Sequence, residues 1–249
     1  MHSFYRPSRS GRPLGWLALS CVLVVSGCSG SQSALAPAGR EAERIANLFW
    51  WMTAVSAIIW LAVVFLAIYA TRTQPNVDRK RQANLLILGG ALAPAVVLCG
   101  LLIYGLGMLQ DVIAPSPEGS LRITVYGEQW WWRVRYEPPG RQPFEVANEV
   151  RLPVGEPVEF QLHSNNVIHS FWIPSLGGKM DMIPGRVTRL SLNPTRTGVF
   201  RGACAEYCGM GHAHMAFDAM VLNRDEFDRW MAQQSEPAVL GAAAGEGLR

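Results

Sequence analysis

Apolar and polar positions along the chain fall into three regimes. Near the start, Arg6, Arg9 and Arg12 precede an apolar core from Trp16 to Val25. That core is about half the length a bilayer-spanning helix needs. Its basic lead and small-residue end predict a signal peptide over residues 1–27. Two uncharged apolar stretches follow, 48–70 and 85–109, each long enough to cross a membrane as a helix. The first opens on Phe49-Trp50-Trp51, side chains suited to the lipid–water interface. From about Pro117 the pattern shortens to runs rich in Val, Ile, Phe, Tyr and Trp, broken by Gly, Pro and Asn. These runs, at 121–126, 130–136, 158–163, 167–173, 187–192, 199–203 and 216–222, predict an antiparallel sandwich or barrel over 117–234. Asn223 heads a short capped helix, and the small residues of 235–249 predict a flexible tail.

Composition and charge place these elements. Hydrophobic residues make up 49% of the chain and charged residues 16%. A soluble domain carries about a quarter charged residues, so the deficit marks a membrane protein. A net charge of +3 is too small to argue for nucleic acid. Residues 71–84 hold Arg72, Arg79, Lys80 and Arg81 against one Asp78, which makes them a cytoplasmic loop. Residues 28–47 and the β-domain then lie outside, on the side to which a signal peptide exports. From Glu118 onward there are 15 acids and 13 bases, so the outer domain is only slightly acidic. The signal ends Val25-Ser-Gly-Cys28, which resembles the lipobox of bacterial lipoproteins. That resemblance implies lipidation of Cys28 and residence in a bacterial inner membrane.

Candidate chemistry concentrates in Cys204-Ala-Glu-Tyr-Cys208-Gly-Met-Gly-His212-Ala-His-Met215. Two thiols, an imidazole and a thioether within twelve residues suit copper, and His, Cys and a weak axial Met are the ligands of copper sites that carry electrons. A single-copper site needs only one cysteine here; two on one loop can bridge two metals. One copper would complete its shell with His212 and a second residue, the other with Met215 and a distant histidine, for which His169 is the candidate. An exported cysteine pair alone would suggest a disulfide, but a disulfide does not require His212 and Met215 at this spacing. Methionine is a poor ligand for zinc. His214 reads as a bystander and His163 as structural, while Cys21 and Cys99 sit in apolar runs as small hydrophobes.

The 204–215 segment is similar to the CuA motif of cytochrome c oxidase subunit II, and the layout of helices and strands agrees with that family. The resemblance, covering most of 41–230, implies a membrane-anchored all-β protein: a two-helix transmembrane hairpin followed by a cupredoxin-like Greek-key β-barrel. It implies a binuclear copper centre held by His169, Cys204, Cys208, His212 and Met215, with the backbone carbonyl of Glu206. The Glu206 carboxylate would face a magnesium ion shared with subunit I. Gly127-Glu-Gln-Trp-Trp-Trp132 resembles the family's electron-entry run, which makes Trp130 the receiver of electrons. Residues 174–186 resemble the loop facing subunit I, with Lys179, Asp181 and Arg186 matching. The implied partners are cytochrome c, subunits I and III of a haem–copper oxidase that reduces oxygen and translocates protons, and membrane lipid. Two departures stand out. Residues 79–90 lack the acid that relatives often carry near a proton-uptake path, and no Cys-x-x-Cys-His occurs for a fused haem. The rivals are a quinol oxidase subunit II, whose relatives lack the copper ligands, and a membrane-tethered copper carrier, which would not need the Trp130 run. Nitrous oxide reductase has a similar copper centre but is longer, soluble and carries a further His-rich domain.

Overall fold

The computed structural model describes residues 29–73, 78–113 and 116–236. The signal peptide over 1–27, Cys28 and the tail beyond 236 lie outside the described residues.

Two long helical stretches come first. Helix α1 runs Arg40–Thr73 and α2 runs Arg79–Ile87, continuing through a π-helical turn, Leu88–Leu92, into α3, Ala93–Ile113. Both stretches are longer than the apolar windows, because the helix continues into polar flanks: Glu41 and Glu43 in the first turn of α1 and Arg72 in its last. That placement suits the helix dipole. The π turn has a local cause. Pro94 has no N–H and its ring would clash with the carbonyl of residue 90, so the ladder widens just before it and Ala93 N–H donates to Leu88 O. Large apolar side chains such as Trp60, Phe65, Leu86 and Ile103 are exposed all round these helices. The two helices anchor the protein in a membrane, where lipid covers those side chains.

The outer domain is a cupredoxin-like sandwich of two five-stranded sheets. One has the order β3-β2-β1-β5-β8 and the other β4-β10-β9-β6-β7. In chain order the strands are β1 Leu121–Glu128, β2 Trp131–Tyr136, β3 Phe144–Ala147, β4 Glu149–Pro153, β5 Val158–Ser164, β6 His169–Trp172, β7 Met180–Met182, β8 Thr188–Leu192, β9 Gly198–Cys204 and β10 Ala216–Leu222. The sheets are mixed rather than antiparallel, since β1–β5 and β4–β10 pair in parallel. In β1 alternate residues Ile123 and Val125 point into the core, the period of two expected of a half-buried strand. Trp132, Phe171 and Phe217 form an aromatic cluster there, with ring centroids 4.8–5.6 Å apart. Gly202 makes room for it: a Cβ there would lie 2.1 Å from the Phe217 ring.

Helix α4, Arg224–Ser235, closes one end by setting Trp230 edge-on against Tyr136 and Phe144. It takes in Ser235, which the sequence pattern assigns to the tail. Asn223 occupies the N-cap position but makes no side-chain cap; its carbonyl accepts from Phe227 N–H instead.

Residues 30–39, which the sequence pattern gives only as part of an outer segment over 28–47, are strapped to the domain. Ala38 is fully buried, donates to Ser175 O at 2.7 Å and accepts from Thr195 N–H at 2.8 Å. Ser31 O accepts from Arg201 N–H at 2.9 Å. In the first turn of α1, Glu41 accepts from Asn193 N–H at 2.9 Å and Glu43 from the Thr195 hydroxyl at 2.8 Å.

Candidate metal centre

At the end of the sandwich away from α4, three elements converge. β6 begins with His169, β9 ends with Cys204, and the loop from there to β10 carries Cys208, His212 and Met215. The sequence separates His169 from Cys204 by 35 positions; β6–β9 pairing removes that distance, with Phe171 opposite Cys204. A short 3₁₀ turn, His212–His214, then folds the loop back so that Met215 precedes β10.

The donor atoms form a chain of contacts. His169 Nδ1 lies 3.8 Å from Cys204 Sγ, and the two sulfurs are 3.9 Å apart. Cys208 Sγ is 3.7 Å from both His212 Nδ1 and Met215 Sδ. The Glu206 carbonyl oxygen sits 3.1 Å from Cys204 Sγ. A disulfide would need sulfurs about 2 Å apart, so both cysteines are free thiols here. The ligand atoms of His169, Cys204 and Cys208 lie within 4.8 Å of one another in a buried group. Soft sulfur with imidazole, gathered at this spacing and shielded from water, fits copper.

Electrostatics act in opposite directions on the imidazole and the thiol of the metal-free group. Burial holds His169 below the usual imidazole value, against an opposing pull from Glu128, so its ring is neutral at pH 7. Its Nε2 faces Asn166 Oδ1 at 3.4 Å, leaving Nδ1 toward Cys204, the outer hydrogen bond that fixes a ligating imidazole. Burial, with the neighbouring Cys204 thiol, pushes Cys208 up to about 11. Cys208 therefore keeps its proton at neutral pH and must release it to bind metal. Copper affinity of the metal-free protein is expected to rise at least about tenfold per pH unit below that value. A competition titration with a copper chelator between about pH 6 and 9 checks this; a flat profile would contradict it.

Several residues that build the centre carry no donor atom. Gly127 lets β1 pass directly beneath His169, where a Cβ would lie 2.9 Å from the imidazole. Gly211 seats Trp130, whose ring would be 2.4 Å from a Cβ there. Trp130 Nε1–H donates to Cys208 O at 3.1 Å, and Gln129 Nε2 donates to the same oxygen at 3.0 Å. Beneath them Trp132 Nε1–H reaches Met215 O at 3.4 Å. Trp132, inside β2, is fully buried, while Trp131 at the start of that strand and Trp130 in the turn before it are 39% and 37% exposed. Of these supports only the Gly-x-Gln-Trp run gives a signal in the sequence.

The remaining candidates sit at the rim. Lys179 Nζ bridges Asp181 at 3.1 Å and Glu206 at 3.4 Å, which draws the 174–186 loop to the metal loop. Arg186 lies on the same loop, and its N–H donates to Ile183 O. His214 is exposed and contributes no contact to the donor group, and His163 stacks on Tyr126 at 5.0 Å.

The profile of the family described as cytochrome c oxidase subunit II, periplasmic domain, matches residues 137–222. A protein named cytochrome c oxidase subunit 2 from Alkalihalophilus pseudofirmus is 36% identical over 238 residues, 90% of this chain and 67% of its own length. One named quinol oxidase subunit 2 from Bacillus cereus is 25% identical over 234 residues, 89% of this chain and 79% of its own length. Among solved structures, the periplasmic domain of subunit II of cytochrome oxidase of Bradyrhizobium japonicum is 32% identical. It covers 48% of this chain and 96% of its own, with a TM-score of 0.45.

Proposed function

The chain belongs to the cytochrome c oxidase subunit II family, and on that premise we propose that it is the electron-entry subunit of a cytochrome c oxidase. As a member it is a membrane-anchored subunit of a haem–copper oxidase, an oxidoreductase complex. The finer reading is that a reduced cytochrome c docks at the Trp130 end and that electrons go on to haem in subunit I, where oxygen is reduced.

The observation that carries this reading is the convergence of two thiols, two imidazoles and a thioether in one group, buried except for the half-buried His212. His169, Cys204, Cys208, His212, Met215 and the Glu206 carbonyl would hold two copper ions. Bound there, such a pair supplies a one-electron store shared over two metals. The residues of the chain do the rest. Trp130 spans from the surface to the Cys208 carbonyl, Gly209 and Gly211 let its ring lie flat against the loop, and Gln129 holds the same oxygen from beside it. A quinol-oxidising relative has no use for these donors, and a copper carrier has no use for Trp130.

At the rim, Glu206 and Asp181 offer carboxylate oxygens of the kind magnesium prefers, and the remaining ligands would come from subunit I. Lys179, between the two carboxylates, offsets one of their two negative charges within this chain. Lys179, Asp181 and Arg186 are proposed as contacts to subunit I, and subunit III as a further partner. We further propose export by the 1–27 signal, lipidation at Cys28, cytoplasmic placement of 71–84 and residence in a bacterial inner membrane.

The purified oxidase tests the reading. Oxygen uptake is expected with reduced cytochrome c and not with quinol alone, together with a copper signal of two coupled nuclei. Quinol oxidation without that signal would overturn it. Replacing Trp130 with Phe removes the indole N–H that reaches Cys208 O and is expected to slow cytochrome c oxidation by about tenfold, with the signal of two coupled coppers retained because Gln129 still holds that oxygen. Equal loss of the copper signal would make Trp130 a structural residue only.

A further inference from the structure

If electrons enter at Trp130, the surface around its indole has to fit the donor. That surface is apolar. Tyr207 is 74% exposed and Met210 91%, and Ile168 next to the ligand His169 is exposed as well. These side chains form one patch. Trp130 lies against Gly209 and Gly211 on either side of Met210, and Tyr207 stands edge-on to His212 at 5.7 Å. Gln129 links the metal loop to the Ile168 loop by accepting from Asn166 Nδ2 at 3.2 Å. The polar members, Gln129 and Asn166, are neutral.

The acids at this end do not form a field that could attract a basic protein. The segments 127–131, 164–169, 179–187 and 205–215 contain three acids, Glu128, Asp181 and Glu206. Glu128 pairs with Arg133 at 2.9 Å, and the other two share Lys179. Arg186 adds a further positive charge to the same loops. On the adjoining strand β10, Asp218 stands opposite Arg201. Charge steering works through an unbalanced potential that salt screens, and these four acids stand among four bases, Arg133, Lys179, Arg186 and Arg201.

We infer that the donor docks on this patch through apolar and neutral polar contacts: it is a small redox protein whose exposed cofactor edge is ringed by uncharged side chains, not by lysines. This rests on the electron-entry reading above and specifies its partner. An apolar patch rimmed by neutral polar groups gives affinity by burial, and a lysine ring would be left without carboxylates to meet.

The assembled oxidase is mixed in a stopped-flow instrument with a reduced near-neutral c-type cytochrome and, separately, with a strongly basic one. Ionic strength is varied from about 10 to about 300 mM, which shortens the screening length several-fold. The near-neutral donor is expected to react faster, with a rate constant that changes less than about twofold across the range. Met210→Glu and Met210→Lys are both expected to slow it by about tenfold, because either charge must be desolvated on docking. The inference is overturned if the basic donor is the faster one and loses about tenfold or more in rate with salt. It is equally overturned if Met210→Glu accelerates the reaction while Met210→Lys slows it. Failure of both cytochromes to reduce the enzyme, with quinol accepted instead, would remove the electron-entry reading and this inference with it.

Discussion

Replacing Cys208 with Ser is expected to abolish the coupled copper signal and to cut electron delivery by at least about two orders of magnitude. The size of the effect follows from where the sulfur sits. Cys208 Sγ is the hub of the centre, within 3.9 Å of the Cys204 sulfur and 3.7 Å of both His212 and Met215. A serine hydroxyl has nearly the same shape but is a hard, weakly acidic donor, so it would neither bridge soft metals nor release its proton at neutral pH. Two coupled copper nuclei give seven hyperfine lines in electron paramagnetic resonance, and one gives four. The variant should show four lines or none, with copper content falling by half or more. A retained seven-line pattern would mean that Cys208 does not bridge. Because the substitution is nearly isosteric, unfolding of the metal-free protein should barely change, which separates ligand loss from misfolding. Cys99, exposed on α3 and far in sequence from the donor group, supplies the control: Cys99→Ser should leave the signal untouched.

The second large effect is expected away from the metal. Trp132→Ala should destabilise the outer domain by about 3–5 kcal/mol, the usual cost of emptying a buried aromatic site. Trp132 is fully buried, packs edge-on against Phe171 at 5.6 Å and Phe217 at 5.2 Å, and lies 6.3 Å from the His169 ring. It therefore supports two of the metal-binding segments at once: β6 through Phe171 and His169, and the Met215 end of the loop through its indole N–H. Trp132→Phe keeps most of the ring but drops that hydrogen bond, so it should cost about 1–2 kcal/mol and shift the copper spectrum more than the stability. Chemical denaturation of the oxidised protein, followed by both tryptophan fluorescence and the copper absorbance, measures the two together. Equal effects of Ala and Phe on the spectrum would show that the hydrogen bond, not the packing, orients Met215.

How far the sequence anticipates this arrangement differs from element to element. The donor loop is legible because its chemistry is local: Cys204, Cys208, His212 and Met215 are held by one short loop. His169 is legible only as a candidate, since its approach depends on β6 pairing with β9. Strands β3, β4 and β7 escape the pattern for separate reasons. β3 and β4 carry Glu145, Glu149 and Arg151 on their outer faces and end near Pro, and β7 is three residues within a loop rich in Gly and Pro. The parallel pairs β1–β5 and β4–β10 join strands far apart in the chain, and no local turn signal announces such a partner. Gly211 is invisible for a similar reason, and Gly127 is legible only as part of the Gly-x-Gln-Trp run, not as room for His169. A glycine's use in giving another side chain room is a property of that neighbour, and His169 and Trp130 come from elsewhere in the chain.

The strap over residues 30–39 bears on the order in which the protein is assembled. Its hydrogen bonds to the Ser175 hydroxyl span 142 and 144 positions, and Glu41 reaches Asn193 across 152. Contacts of such separation form late, because the intervening chain must be closed into a loop before they repay its ordering. The head of α1 is made before the outer domain, yet it has no seat until the turn at Ser175 and the segment at Asn193 exist. Once the strap docks, the head of α1 is fixed against the outer domain. The part of the outer domain made first is the last to find its place.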